Sequence, residues 1–537
     1  MPVRGCLMPN VELEHGCKIL EVPADLEREV TCREGTVMVM GEHPEKEFGL
    51  HKHRVVDELQ TICNRHLKAT PPVELDSLAW KLFHRRMCTT SRLIGRVPTA
   101  TIACVLEGKS GRRRKRFFQG IKELGESPVC KKDAAITEMQ KLEMYESCKL
   151  EVKEDRGIQF RSVKYNVALA RHLHNIEKRV IGMHPDGYHP VMKGATPQQR
   201  AERLAIGASS FRRPVYLLLD HSRFDAHVNV ALLREEHKFY LRCRGKNAEL
   251  ARLLKMQIVN RGRSKGGVKY RTLGKRMSGD INTGLGNTII NYCIIMSWLD
   301  ASSVKGHVYL DGDDSVVIIE KEDECKLVPL ENHMGALGMV TIMDRTEDFW
   351  RAEFCQSRPV LVDGTVRFIR NPQKVLATVG RSAERLDPST AAEVLRASAM
   401  CELAMNGNAP VISKFCRRIL EHLGDGRVVF SNTQLWKAEQ YGIRFKIPQG
   451  GEVDPESRYT FWRAWDIDPG MQEAYEQQDL IWSAFMSEAK RRRTRVKVDL
   501  ADDPDEFWLG RVIPSCDCGS CPEYDSQVAY DHARLWQ

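Results

Sequence analysis

Four aspartates stand where acids could do chemistry rather than solvate a surface: Asp220 and Asp225 after the apolar run Val215 to Leu219, and Asp313 and Asp314 within Asp-Gly-Asp-Asp. Both places follow short apolar segments that read as buried strands. Carboxylates at strand ends converge on one edge of a sheet, where like charges repel unless a cation neutralises them. Mg2+ or Mn2+ suits such a cluster, because hard divalent cations take oxygen ligands. Two ions about 4 Å apart can activate a hydroxyl and stabilise a departing pyrophosphate, which is the chemistry of nucleotidyl transfer.

Two plainer readings compete. As an isolated tetrapeptide, Asp-Gly-Asp-Asp is a hydrophilic turn. A calcium loop counted from Asp311 would have carboxylates at its third and twelfth positions, Asp313 and Glu322, but the sixth is Val316 where the sharp turn demands Gly. The order of the neighbouring segments favours the catalytic reading: a strand running into DHSRFD, then SGDINTGLGN opening a helix, then strand, GDD and strand.

The elements that must hold these residues are legible around them. Val215 to Leu219 predicts a buried strand, and Asn287 to Leu299 a helix preceded by the Gly-rich loop Ser278 to Gly286. HVYL and SVVII predict two strands joined by a tight turn in which Gly supplies the backbone freedom. Helical spacing recurs in Ala391 to Leu403. Arg156 to Arg179 carries six Lys and Arg against Glu177 alone, and its alternation with apolar residues predicts a half-buried strand. No internal repeat or low-complexity linker separates these segments, so the units are expected to pack together.

DHSRFDAHV (Asp220 to Val228), SGDINTGLGN (Ser278 to Asn287) and YLDGDDS (Tyr309 to Ser315) together resemble motifs A, B and C of the RNA-dependent RNA polymerases of positive-strand RNA viruses, most closely the tombusvirus-like group. EFCQSRPV (Glu353 to Val360) looks like motif E, and RGIQFRSVKYNVALARHL (Arg156 to Leu173) looks like the basic motif F. GRRRKRF, QKLE and RNPQKVL extend the likeness over roughly residues 110 to 380.

The resemblance implies an α+β right-hand polymerase of fingers, palm and thumb, with a small antiparallel palm sheet and helix-rich fingers and thumb. Residues 1–205 would form an N-terminal extension and fingers, 206–380 the palm with an inserted fingers segment, and 381–537 the thumb and C-terminal tail. It implies Asp220 and Asp313 as principal ligands of two Mg2+ or Mn2+ ions, with Asp314 auxiliary. Ser278, Gly279, Thr283 and Asn287 would hold the template base and the incoming sugar, and Asp225 would join Asn287 at the ribose 2′-hydroxyl. Arg156, Arg161 and Lys164, with Lys141 as an addition, would face the triphosphate. Cys355 would pack beneath the primer strand. One departure stands out: many such polymerases carry a motif D Lys that can protonate pyrophosphate, and Leu337 to Asp344 contains none. Arg345 holds its proton too firmly for that role, so either a residue elsewhere, His333 being one candidate, or water would serve, and the role stays unassigned.

The whole chain has 537 residues, 81 Lys and Arg against 72 Asp and Glu, a formal charge of +9 that permits a nucleic-acid partner. Lys109 to Lys122 concentrates seven Lys and Arg with no acid, and Arg112, Arg113, Arg114, Lys115 and Arg116 are the expected RNA contacts; a localisation signal is the other reading. A second basic run spans Lys490 to Lys497. Cys516, Cys518 and Cys521 with His532 could ligate zinc, though their spacing is irregular for a structural site. The longest uncharged apolar stretch, Thr288 to Leu299, is twelve residues, short of the ~20 that cross a bilayer. Seventeen scattered cysteines suit a reducing compartment.

The expected partners are therefore an RNA template, nascent RNA, nucleoside triphosphates and replication-complex proteins. The expected location is the host cytoplasm, at membrane-associated complexes reached through a partner. A reverse transcriptase also places paired Asp on a hairpin, but Asp225 and Asn287 are placed for a ribose hydroxyl. A noncatalytic RNA-binding or packaging protein would use the basic runs and leave the acids unexplained, since unneutralised acids weaken RNA binding.

Overall fold

The computed structural model describes residues 11–41, 47–107, 109, 111–431, 434 and 449–486, with the side chains of 111 and 112 undescribed. The basic run Lys490 to Lys497 and the Cys516, Cys518, Cys521 and His532 group lie outside the described residues.

Two sheets carry the architecture. The first is built from β1 (Lys18–Glu21), β2 (Ile136–Gln140), β3 (Gly157–Phe160), β5 (Val259–Ser264) and β6 (Lys269–Leu273), in the order β1-β6-β5-β2-β3. Its strands pair antiparallel except β2 and β5, which run parallel. The second is built from β4 (Pro214–His221), β7 (Gly306–Asp311), β8 (Asp314–Glu320) and β9 (Thr341–Thr346), antiparallel throughout in the order β7-β8-β4-β9. β10 (Ser357–Val362) and β11 (Thr365–Arg370) form a separate hairpin.

The second sheet is backed by helices whose sequence explains their burial. α1 (Leu78–Ile94) and α5 (Val230–Arg244) each bury one face. α6 (Thr283–Ser302) is apolar all round, and every residue from Leu285 to Leu299 is buried, as expected for a helix enclosed by its neighbours. Trp298, Phe239, Tyr240 and Tyr165 fill the main core between these helices and the inner face of the sheet. α4 (Pro197–Ala208) covers the other face through Leu204 against Tyr216 and Tyr309. A second core lies beneath α8 (Pro388–Asn406), α9 (Ile412–Leu423) and α10 (Pro455–Trp465), joining Val360 and Ile369 of the β10–β11 hairpin.

The segment 156–179 corrects the sequence reading. Only Gly157–Phe160 is a strand; α3 (Val163–Ile181) follows as a helix, with Ser162 accepting from the backbone N–H of Tyr165 as its N-cap. The spacing of Leu169, Leu173, Ile176 and Val180 is helical and lies on the buried face. The alternating basic residues masked it. The basic run 112–116 lies on α2 (Gly111–Glu126), anchored through buried Phe117, with Arg113, Arg114, Lys115 and Arg116 exposed. Among the described residues no helix is long and apolar enough to cross a membrane.

Candidate active site

Three of the four aspartates, Asp220, Asp313 and Asp314, meet at one end of the second sheet because of its register. Asp311 pairs with Asp314 across the β7–β8 turn, and Ser315 pairs with Leu219 in β4, so Asp220 follows directly beside Asp314. Gly312 turns the hairpin at φ +73°, a conformation that favours glycine. Asp220, Asp313 and Asp314 all reach solvent. Surrounding protein nevertheless desolvates two of them: burial, reinforced by Asp225 and Asp314, pushes the Asp313 carboxyl up to about 7. Burial, with Asp311 and Asp220 adding repulsion, pushes Asp314 up to about 6.

The turn is clamped from behind. Asn291 Nδ2, on α6, donates to the carbonyls of Gly312 and Asp313, each at 3.1 Å, and Thr288 Oγ1 accepts from the Gly312 N–H at 3.2 Å. His221 lies between Asn291 Oδ1 (2.9 Å) and Thr341 Oγ1 (2.8 Å). Because an amide oxygen only accepts, His221 Nε2 carries the proton and the Thr341 hydroxyl donates to Nδ1. Burial lowers this imidazole to about 4, which keeps it neutral. None of these supports stood out in the sequence: Thr288 and Asn291 sit in an apolar run that reads simply as core, and His221 stands beside acids that drew the reading to themselves.

Beside the carboxylates, Asn287 Nδ2 donates to Asp225 Oδ1 at 2.8 Å, the contact expected of this pair. Burial raises the Asp225 carboxyl, opposed by Asn287 and by the nearby Arg276, Arg156 and Arg65. Arg156 is exposed and acts on both Asp225 and Asp313. Lys141 joins Arg156 at the β2–β3 end: its backbone N–H donates to the Arg156 carbonyl at 2.7 Å, and both side chains approach Glu143. Arg65 and Arg223, which share Glu154, are cations of this neighbourhood that the sequence did not single out.

Ser278 and Gly279 dock on β3. Ser278 Oγ accepts from the Gln159 N–H at 3.2 Å and donates to the Gly157 carbonyl at 3.3 Å, while the Gly279 N–H donates to the Gln159 carbonyl at 2.8 Å. A Cβ at Gly279 would lie 2.7 Å from that carbonyl oxygen, so glycine is required for the approach. Thr283 Oγ1 donates to the Met277 carbonyl at 2.7 Å and closes the loop onto α6.

Three expectations are not met. Arg161 is buried, bound to Asp280 (2.7 Å), Asn260 (2.7 Å) and the Ala134 carbonyl, so it braces the fold instead of facing the opening. Lys164, the second residue of α3, is buried against Ser127 and Asp133. Both fall on one basic stretch whose turn into a helix sends successive side chains apart. His333, on α7 (Leu330–Ala336), is buried with Nε2 2.9 Å from Ser297 Oγ, and burial lowers it to about 4; a neutral imidazole enclosed in core cannot deliver a proton to the site. Cys355, at φ +51° before β10, offers its thiol to Asp314 with Arg200 Nη1 3.5 Å away, and burial and Asp314 hold it protonated. Arg200 also binds Asp311 at 2.6 Å.

Among the described residues no three His, Cys, Asp or Glu enclose an ion by themselves. The donor set still fits Mg2+, which is held by one or two carboxylates and completes its shell with water and substrate phosphate oxygens. The raised Asp313 and Asp314 carboxyls are groups that a cation would return to the ionised form.

The family model described as viral RNA dependent RNA polymerase matches residues 28–484, a span that includes this sheet end, its Gly-rich loop and the basic residues before it. The chain belongs to that family. It is 32% identical over 380 residues, 68% of its length, to the RNA-directed RNA polymerase of Tobacco necrosis virus (strain A), of which it covers 52%. It is 30% identical over 425 residues to that of Carnation mottle virus (77% of this chain, 55% of the relative) and 28% over 454 residues to that of Maize chlorotic mottle virus (81% and 47%). The chain thus spans about half the length of the curated relatives it matches.

Proposed function

We infer that this chain is the catalytic part of an RNA-directed RNA polymerase that copies a positive-strand viral genome. The observation that carries the reading is the gathering of Asp220, Asp313 and Asp314 at one solvent-reached sheet end, where burial and neighbouring acids raise the carboxyls of Asp313 and Asp314. In this reading residues 206–380 form the palm, 1–205 the N-terminal extension and fingers, and 381–537 the thumb and tail.

Asp220 and Asp313, with Asp314 auxiliary, would hold two divalent cations, which when bound lower the charge on the attacking and leaving oxygens. The protein's own work is placement. The Asn291 and Thr288 bonds fix the carboxylate turn, the family logic sets Asn287 and Asp225 at the ribose 2′-hydroxyl, and Arg156 with Lys141 flanks the path of the triphosphate. Arg113, Arg114, Lys115 and Arg116 on the exposed face of α2 would attract the RNA backbone. Protonation of the pyrophosphate is left to solvent. The site would operate in the host cytoplasm, with other replication proteins providing attachment to membranes.

Incorporation of labelled nucleotides on a synthetic RNA template, with and without Mg2+ or Mn2+, tests the reading. RNA-templated, cation-dependent extension with ribonucleotides supports it. RNA binding with no extension under any cation would favour the packaging role, and extension with deoxynucleotides alone would favour a reverse transcriptase.

A further inference from the structure

Behind the Asn287–Asp225 pair lies a buried ion pair that the reading above leaves without a role. Arg276 Nε donates to Asn287 Oδ1 at 3.0 Å, while Asn287 Nδ2 donates to Asp225 Oδ1 at 2.8 Å. A guanidinium has donors only, so the end of the amide that faces Arg276 must be its oxygen. The NH2 end is then turned to Asp225. The orientation of Asn287, which its own shape leaves open, is decided by its neighbour.

Arg276 is itself held from several sides. Its backbone N–H donates to the Asp225 carbonyl at 2.8 Å, and its terminal nitrogens bind both oxygens of Glu236, on α5. Glu236 Oε1 also accepts from the Tyr240 hydroxyl at 2.7 Å and from Asn282 Nδ2 at 3.0 Å. Glu236 is fully buried and Arg276 is 3% exposed. Burial opposes the ionised carboxyl of Glu236, yet the Arg276 guanidinium holds it below the ordinary range. A Cβ on Gly286 would collide with both Glu236 Oε1 and Arg276 Nη2, so α6 can lie against the pair only because that position is glycine. The first turn of α6, and with it Asn287, is seated directly on the ion pair.

We propose, resting on the ribose reading of Asp225 and Asn287, that Arg276 and Glu236 are the positioning residues for sugar selection: they fix the Asn287 amide with its NH2 toward Asp225 and thereby set the preference for ribonucleotides. Without the guanidinium Asn287 Oδ1 loses the donor that anchors it, and the amide is free to rotate and drift away from Asp225. A site that no longer presents paired polar groups to the 2′-hydroxyl loses its means of rejecting a sugar that lacks one.

The test is kcat/KM for a ribonucleoside and the matching deoxyribonucleoside triphosphate on an RNA primer-template, compared in the full chain, Arg276→Lys, Asn287→Ala and the double variant. Lysine keeps a charge for Glu236 but lacks the planar Nε that faces Asn287. The ribo-to-deoxy ratio should fall about tenfold or more in Arg276→Lys, fall at least as far in Asn287→Ala, and fall no further in the double variant. If Asn287→Ala lowers the ratio and Arg276→Lys leaves it intact, or if the two effects add, the positioning role is overturned while the sugar reading stands. If Asn287→Ala leaves the ratio unchanged, the sugar reading fails and takes this proposal with it. Should Arg276→Lys not fold, Glu236→Gln carries the same test: a lowered ratio supports the role, and an intact ratio in folded protein overturns it.

Discussion

Asp313 and Glu236 are both carboxylates packed near helix α6, and their surroundings drive them in opposite directions. Asp313 reaches solvent, yet burial and its acidic neighbours push it up to about 7. Glu236 is fully buried, yet the Arg276 guanidinium keeps it below the ordinary carboxylate range. Burial alone therefore does not decide ionisation here; the sign of the nearest charge does. The sheet end is an unbalanced site that gains by acquiring a cation, and the Glu236–Arg276 region is a balanced one that already has its cation and holds shape.

The strongest way to break this contrast is to remove an acid from the unbalanced site. Asp313→Asn should cut nucleotide addition by about 10³-fold or more, several kcal/mol of transition-state stabilisation, with RNA affinity nearly unchanged in a filter-binding assay. Near-normal synthesis in Mg2+ would remove the turn from the catalytic role.

A balanced pair should fail in a different currency. Arg161→Ala leaves Asp280 buried beside Gln257 and without its cation; it should cost about 3–5 kcal/mol of stability in urea unfolding. Asp313→Asn in metal-free protein should cost none, because it removes repulsion. Equal losses from the two variants would show that a buried, balanced ion pair and the acidic sheet end do not differ as described.

The contrast sharpens with pH. The folded carboxyls of Asp313 and Asp314 are raised, so in metal-free protein their contribution to stability is present below the ordinary carboxylate range and is lost as pH rises toward about 7. Cation binding must displace those protons, so the Mg2+ concentration for half-maximal synthesis should fall as pH rises from 6 to 8, by up to about tenfold per unit for each proton displaced. An Mg2+ requirement that is flat over this range would contradict the raised carboxyls.

The smallest effect on stability is expected at α2, where Arg113, Arg114, Lys115 and Arg116 stand exposed. Replacing Arg112, Arg113, Arg114, Lys115 and Arg116 by Ala should change unfolding free energy by about 0.5 kcal/mol or less. The slope of log K for RNA against log salt should shrink by roughly two units, at ~0.7 per lost phosphate contact. An unchanged slope would give the helix a localisation or partner-binding role.

The sequence made the hairpin and its acids legible because local signals coincide there: a strand period, a glycine turn and acids at the strand ends. Asp225 and Asn287 were legible through motif spacing, and their hydrogen bond follows it. Arg161 was not, because its partner Asp280 is 119 positions away and nothing local distinguishes a guanidinium that braces from one that binds. Arg276, Glu236 and Asn291 escaped for the same reason: each acts through a partner on another element. His333 was suggested by nearness along the chain, whereas helix α7 turns it into the core.

The double pairing of β8 has a consequence for how this chain can change over generations. Its residues are matched on one side to β7 and on the other to β4, so one inserted or deleted residue would exchange buried and outward faces in both ladders at once. The β10–β11 hairpin has no further strand partner among the described residues, and a Cβ on its turn residue Gly364 would meet nothing. Homologous chains should therefore keep a constant residue count between Gly306 and Glu320 while their side chains drift, and should accept codon-sized gains and losses around Asp363 and Gly364.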